Sequence, residues 1–184
     1  MSTFLSSVTL NNGCVTSTTF TAPANADLPS RTLVDYFTDA GNGTTVETDL
    51  YSTTLPAGIL ANNGDKLCAE CGGKFVSSAT ATRQVRVYFA GTVIFDTGAL
   101  TLSLSAAWTG YLTIIRVSAT VIRYMVSFTT EGAALAAYTS CGELTGLTLS
   151  GTNVLKITGQ AGGVGAATND VVAKMGFVEK KAAV

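Results

Sequence analysis

Two thiols three residues apart, Cys68-Ala-Glu-Cys71, form the first spacing that suggests chemistry, because CxxC recurs in metal sites and redox sites. Cys68 and Cys71 are therefore the candidate metal ligands. The surroundings argue against both uses. Tetrahedral zinc needs four converging ligands, the chain has no histidine, and Cys14 and Cys141 are far away in sequence. A thioredoxin-type site needs a helix after the pair, and none is predicted. If residues 66–71 form a strand, Cys71 shares a face with Leu67 and Ala69 while Cys68 points the other way. Free thiols are the expectation.

The lack of histidine also removes the commonest general base and rules out Ser-His-Asp and Cys-His arrangements. Glu47 and Asp49 are the nearest approach to a carboxylate pair for glycoside hydrolysis. They alternate onto one face of a strand, as a solvated face also would. Gly159–Gly165 is glycine-rich like a phosphate loop, but no Lys-Ser/Thr follows it and a strand is predicted next, so the logic of anion binding at a helix N-terminus fails. Asp65, Asp96 and Asp170 are loop acids without the dense ligand run of a calcium site. No catalytic residue and no cofactor is expected.

Composition points towards assembly. Charged residues make up 12% of the 184 and hydrophobic ones 47%, against a usual charged share of about a quarter. A surface so poor in charge fits one that other subunits cover. Residues 1–60 hold Asp27, Asp35, Asp39, Glu47 and Asp49 against Arg31 alone. Only Lys180-Lys181 approaches a basic run, so direct nucleic-acid binding is not expected. No apolar run is long enough to span a membrane. The first residues, MSTFLSSVTL, lack the basic region of a signal peptide, so synthesis and use without secretion through a membrane is the expectation.

The elements that must position these residues are β throughout. Residues 1–45 are rich in Thr, Ser, Asn and Ala, with Pro23 and Pro29, and read as an extended N-terminal arm ordered by a partner surface. Its anchors are Phe4, Leu5, Phe20, Tyr36 and Phe37. Residues 46–184 read as a jelly-roll-like antiparallel β-sandwich. Arg83–Thr97 is a hairpin: Val85, Val87 and Phe89 alternate against Gln84, Arg86 and Tyr88, and Ala90-Gly91 turns the chain. A second hairpin runs from Tyr111–Val117 into Ile122–Phe128. Residues 133–138 read as a loop, and Leu144–Leu149, Val154–Thr158 and Val171–Val178 as strands. In the last, Val171, Ala173, Met175 and Phe177 share a face. Eight or nine strands at about ten-residue spacing indicate a sandwich or barrel.

Three stretches carry a resemblance: Leu55-Pro56-Ala57-Gly58-Ile59-Leu60-Ala61-Asn62-Asn63-Gly64-Asp65-Lys66-Leu67, then Gly73-Lys74-Phe75, then Arg86-Val87-Tyr88-Phe89-Ala90-Gly91-Thr92-Val93-Ile94-Phe95-Asp96-Thr97-Gly98. The pattern resembles virion proteins of tailed bacteriophages, jelly rolls that trimerise as capsid decoration proteins, head fibres or tail-fibre modules. It covers residues 55–130. It implies a homotrimer on the outer capsid surface, with the arm on the major capsid protein of the shell. The alternatives it leaves are a fibre module recognising host glycans, with an exposed site around Trp108 or Ala133–Tyr138, and a shell-forming jelly roll.

Overall fold

The fold is a computed structural model that describes residues 3–11, 14–21, 30–76, 82–101, 105–131, 137–162 and 169–183, with backbone alone up to Ser30. Fourteen strands are described: β1 (Thr3–Asn11), β2 (Cys14–Thr21), β3 (Ser30–Tyr36), β4 (Ala40–Asn42), β5 (Thr48–Leu55), β6 (Lys66–Phe75), β7 (Thr82–Phe89), β8 (Thr92–Asp96), β9 (Leu100–Thr101), β10 (Ala106–Ser118), β11 (Val121–Thr130), β12 (Ala137–Leu144), β13 (Asn153–Gly162) and β14 (Val171–Lys181).

β1 and β2 form a two-stranded antiparallel hairpin, with Phe4 opposite Phe20. The rest builds two sheets. One has seven strands in the order β12-β11-β10-β6-β14-β3, with β4 also on β14; the other runs β5-β13-β7-β8, with β9 on β7. With β3 and β4 taken as one interrupted first strand, and β9 and the β11–β12 hairpin set aside, the strands alternate between sheets in the order 1-8-3-6 and 2-7-4-5. That is a jelly roll, two interlocked Greek keys. The β11–β12 hairpin widens the larger sheet beyond this frame. β3 and β4, assigned to the arm on sequence grounds, are hydrogen-bonded to β14 and so form one margin of the sandwich.

Alternation builds the core. On β7, Val85 and Phe89 are fully buried and Val87 nearly so, because a period of two turns every second side chain inward. Ala90 and Gly91 close the hairpin at φ of 49° and 81°, the left-handed pair that a two-residue turn demands. One inward row crosses the whole larger sheet: Tyr138, Phe128, Gly110, Cys71, Gly176, Tyr36. The facing row of the smaller sheet is Tyr51, Ile157, Val87, Phe95. Aromatic rings meet at both ends of these rows. Tyr36 stacks on Tyr51 with centroids 4.2 Å apart, and Phe95 lies 5.5 Å from Phe128. Trp108, packed 5.6 Å from Phe128, fills the next layer.

Bulges correct two expectations. The β14–β6 register shifts between Ala173 and Met175. An extra residue reverses the facing of every later residue in its strand, so Met175 is 65% exposed and Val178 is buried. A shift between Val87 and Tyr88 lets both Ile94 and Phe95 turn inward. Of the strand expected at Leu144–Leu149, Leu144 ends β12 and residues 145–149 lie outside strands, while part of the expected 133–138 loop opens β12.

Gly73 sets the tightest approach. A Cβ there would lie 2.0 Å from the Val172 carbonyl oxygen and 2.5 Å from the Trp108 ring. Gly73→Ala is expected to destabilise the fold by about 3 kcal/mol through overpacking, read as a lower urea midpoint with an unchanged slope.

Candidate functional site

The outer face of the smaller sheet carries a polar network. Arg86 on β7 bonds Glu47, contacts Asp96 through Nε at 2.8 Å, and donates to Gln160 at 3.2 Å. The Tyr88 hydroxyl donates to Glu47 at 2.8 Å, and Thr158 adds a further bond. Lys156 pairs with Asp49 at 2.8 Å and sits 5.1 Å from the Tyr88 ring centre. Burial alone would raise the Glu47 pKa; hydrogen bonds from Thr158 and Tyr88 and the Arg86 charge outweigh it and hold the carboxyl below its ordinary value. Asp96 is lowered in the same way, with burial outweighed by Gln84, Arg86 and the Gly98 amide. A glycosidase acid needs a raised carboxyl. Glu47 is held ionised and Asp49 is matched to a lysine, so this face is a salt-bridged outer surface.

The thiols do not converge. Cys71 points inward beside Ala69, and Cys68 sits in an outward row with Thr113 and Met125. Cys141 lies in that same row three strands from Cys68, about 14 Å away at the usual strand spacing, too far for a disulfide. Burial pushes the Cys71 thiol up to about 12, with Glu70 adding to the shift. The loop acids are also separated: Asp65 pairs with Lys180, Asp170 with Arg83 and Asp96 with Arg86. Among the described residues no three His, Cys, Asp or Glu side chains gather to hold an ion. Cys14 lies in β2, where side chains are outside the described set.

Gly110, Cys71 and Gly176 put three small residues in the middle of the inward row. Against Val87 and Ile157 they leave an apolar cavity of about 60 Å³, bounded by Tyr36, Tyr51 and Phe128.

The outer face of the larger sheet is the surface that the core does not explain. Its two central rows are Thr139, Ser127, Tyr111, Glu70, Phe177, Asp35 and Cys141, Met125, Thr113, Cys68, Glu179. Tyr111 is 50% exposed, Met125 58% and Met175 65%, and the rows also hold Asp35, Glu70 and Glu179 and no base. At the β3 margin Phe37 is 86% exposed. Side chains that an isolated surface would not favour are thus spread along one sheet face.

Of the expected arm anchors with described side chains, Phe37 presents itself outward. Tyr36 turns into the sandwich, where its stack on Tyr51 occupies it. Phe4, Leu5 and Phe20 lie in the hairpin, and their side chains are outside the described residues. Trp108, which the fibre-module alternative placed at an exposed glycan site, is 1% exposed. Its indole is drawn under β11 by Phe128 and over Gly73. Tyr138 packs on Phe128, and residues 132–136 lie outside the described set. The outward Met175 was hidden from sequence by the bulge.

No family model and no curated protein sequence matches the chain. Two solved structures align over much of its length. The infectious bursal disease virus VP2 subviral particle shares 9% identity over 95% of this chain at a TM-score of 0.35, and the chain spans 37% of that protein. The CBM2 module of Lactobacillus casei BL23 phage J-1 evolved Dit shares 7% over 72% of this chain and 70% of its own, at 0.32. Likenesses this low carry no functional argument.

The buried thiol has a readable titration. Cys71 and Tyr51 are each raised to about 12, from 9.0 and 10.0. The folded state therefore keeps protons that the unfolded state releases above about pH 9, and stability falls as pH rises through that window. Cys71→Ala is expected to make the alkaline limb of a denaturation series shallower. A thiol reagent at pH 8 is expected to label Cys141 in the folded protein and Cys71 only after unfolding.

Proposed function

We propose that the protein is a non-enzymatic virion structural protein, a decoration or cement protein that binds the outer surface of a capsid shell as a trimer and stabilises it. The observation that carries this reading is the outer face of the seven-stranded sheet, where Tyr111, Met125 and Met175 are half or more exposed beside Phe37. Jelly rolls serve as capsid proteins, lectins and cupins alike, so the fold by itself does not choose. The site does. The carboxylates of the smaller sheet are neutralised by Arg86 and Lys156, and the tryptophan that a glycan platform would use is in the core. What remains outward is a broad face that sets Tyr111, Met125 and Met175 among Asp35, Glu70 and Glu179, a mixed apolar and acidic surface suited to covering by protein. The resemblance of residues 55–130 to tailed-phage virion proteins supports the same reading.

In this reading Phe37 and the outer sheet face meet the major capsid protein, and Tyr36 holds Phe37 in place through its stack on Tyr51. Burial of one phenylalanine is worth about 2 kcal/mol, so Phe37→Ser is expected to weaken binding to undecorated shells by at least about tenfold while leaving the melting temperature unchanged. Quantitative mass spectrometry of purified particles is expected to find the chain at a simple ratio to the shell subunit. A few copies per particle would transfer the reading to a fibre module, and absence from particles would sink it.

A further inference from the structure

The β1–β2 hairpin and the β12 edge are each incomplete alone. A two-stranded hairpin is marginally stable in water, and independent stability needs a third strand or a packed face. β1 and β2 pair with each other along seventeen strand residues, none of them charged. β12 is an eight-residue edge strand whose ladder partner is β11. Exposed edges invite another strand unless charge, proline, a bulge or a cover blocks them. β12 has no proline, no lysine and one acid, Glu143, which faces Arg123 of its own sheet at 3.1 Å.

The other margins are guarded. β3 carries Arg31 and Asp35 and is bulged against β14 between Val178 and Glu179. β5 is bulged against β13 and stops at Pro56. β8 has five residues, and its Ile94 carbonyl accepts a bond from Ser140 at 2.9 Å. That bond also fixes β12 in position, so its open edge is presented on a rigid support.

We infer that the β1–β2 hairpin of one copy adds to the β12 edge of a second copy and extends that copy's seven-stranded sheet. The hairpin enters next to β3, at one margin of the sheet, and β12 is the opposite margin. The donor is thus joined in sequence to the margin opposite the acceptor, an arrangement that links copies head to tail and gives a ring where the rotation closes. Docking on the same chain's own β12 is disfavoured by reach. Five inter-strand steps span about 24 Å, and the eight residues 22–29 span at most about 28 Å when fully extended, which leaves almost no slack to cross the face. The bonds formed are main-chain ladder bonds, so the match requires length and lack of charge, both of which β2 and β12 share at eight residues each.

The test is complementation in solution, and it does not depend on the virion reading. One variant lacks residues 1–21 and keeps the acceptor edge. The other carries Thr139→Lys and Cys141→Lys, two outward positions of β12, and keeps the donor hairpin. By native mass spectrometry and sedimentation the unmodified chain is expected to form closed oligomers and each variant alone to be monomeric. A mixture of the two is expected to form a one-to-one complex. Amide exchange on the unmodified chain supplies a readout without edge mutations: β12 amides are expected to exchange at least tenfold faster once residues 1–21 are removed. Unaltered assembly of the truncated chain, a monomeric unmodified chain, or β12 protection that ignores the truncation would each overturn the inference.

Discussion

The close approach of β14 and Trp108 over Gly73 is the constraint on which the sandwich depends. β6 is bonded along its full length by β10 on one side and β14 on the other. It can accept both only because its middle is Gly72-Gly73, which leaves room for the Val172 carbonyl and the indole ring at once. With the indole seated there, Phe75 and Phe128 close around it. Phe128 in turn meets Phe95 of the other sheet. The contact between sheets therefore radiates from a position with no side chain.

Two buried ion pairs finish the ends of the same strands. Arg83 and Asp170 are fully buried near the Phe75 end of β6 and the start of β14, and Arg83 also donates to the Val76 carbonyl. At the other end Asp65 pairs with Lys180 and accepts the amides of Asn62 and Ala183 at 2.9 Å each. One carboxylate thus closes the Asn62–Asp65 turn and fastens the chain after β14. Such pairs contribute little net stability once desolvation is counted. Breaking one would leave a buried charge without its counter-charge, so they hold the ends of β6 and β14 in register.

Much of this was legible in sequence because period and turn chemistry are local. The Arg83–Thr97 hairpin follows from alternation and Ala90-Gly91, and the opposite facing of Cys68 and Cys71 follows from their spacing. What sequence hid is non-local. Nothing near Lys174 announces a bulge, so Met175 read as core and Val178 did not. Trp108 read as a surface platform because the glycine that receives it is thirty-five positions earlier. β3 read as arm because its partner is the final strand, and β12 read as loop because its alanine-rich start has helix propensity and no alternation. The exposed sheet face was invisible for the same reason: it is assembled from six strands whose order only the topology supplies.

The cavity left by Gly110, Cys71 and Gly176 has a volumetric consequence. Its roughly 60 Å³ of unfilled space is lined by apolar groups that give water no partners. Unfolding abolishes that space, and the shrinkage of proteins on unfolding scales with the internal space they lose. Hydrostatic pressure therefore works against this sandwich from its centre outward, at the layer where the two tyrosines and the two phenylalanines hold the sheets apart.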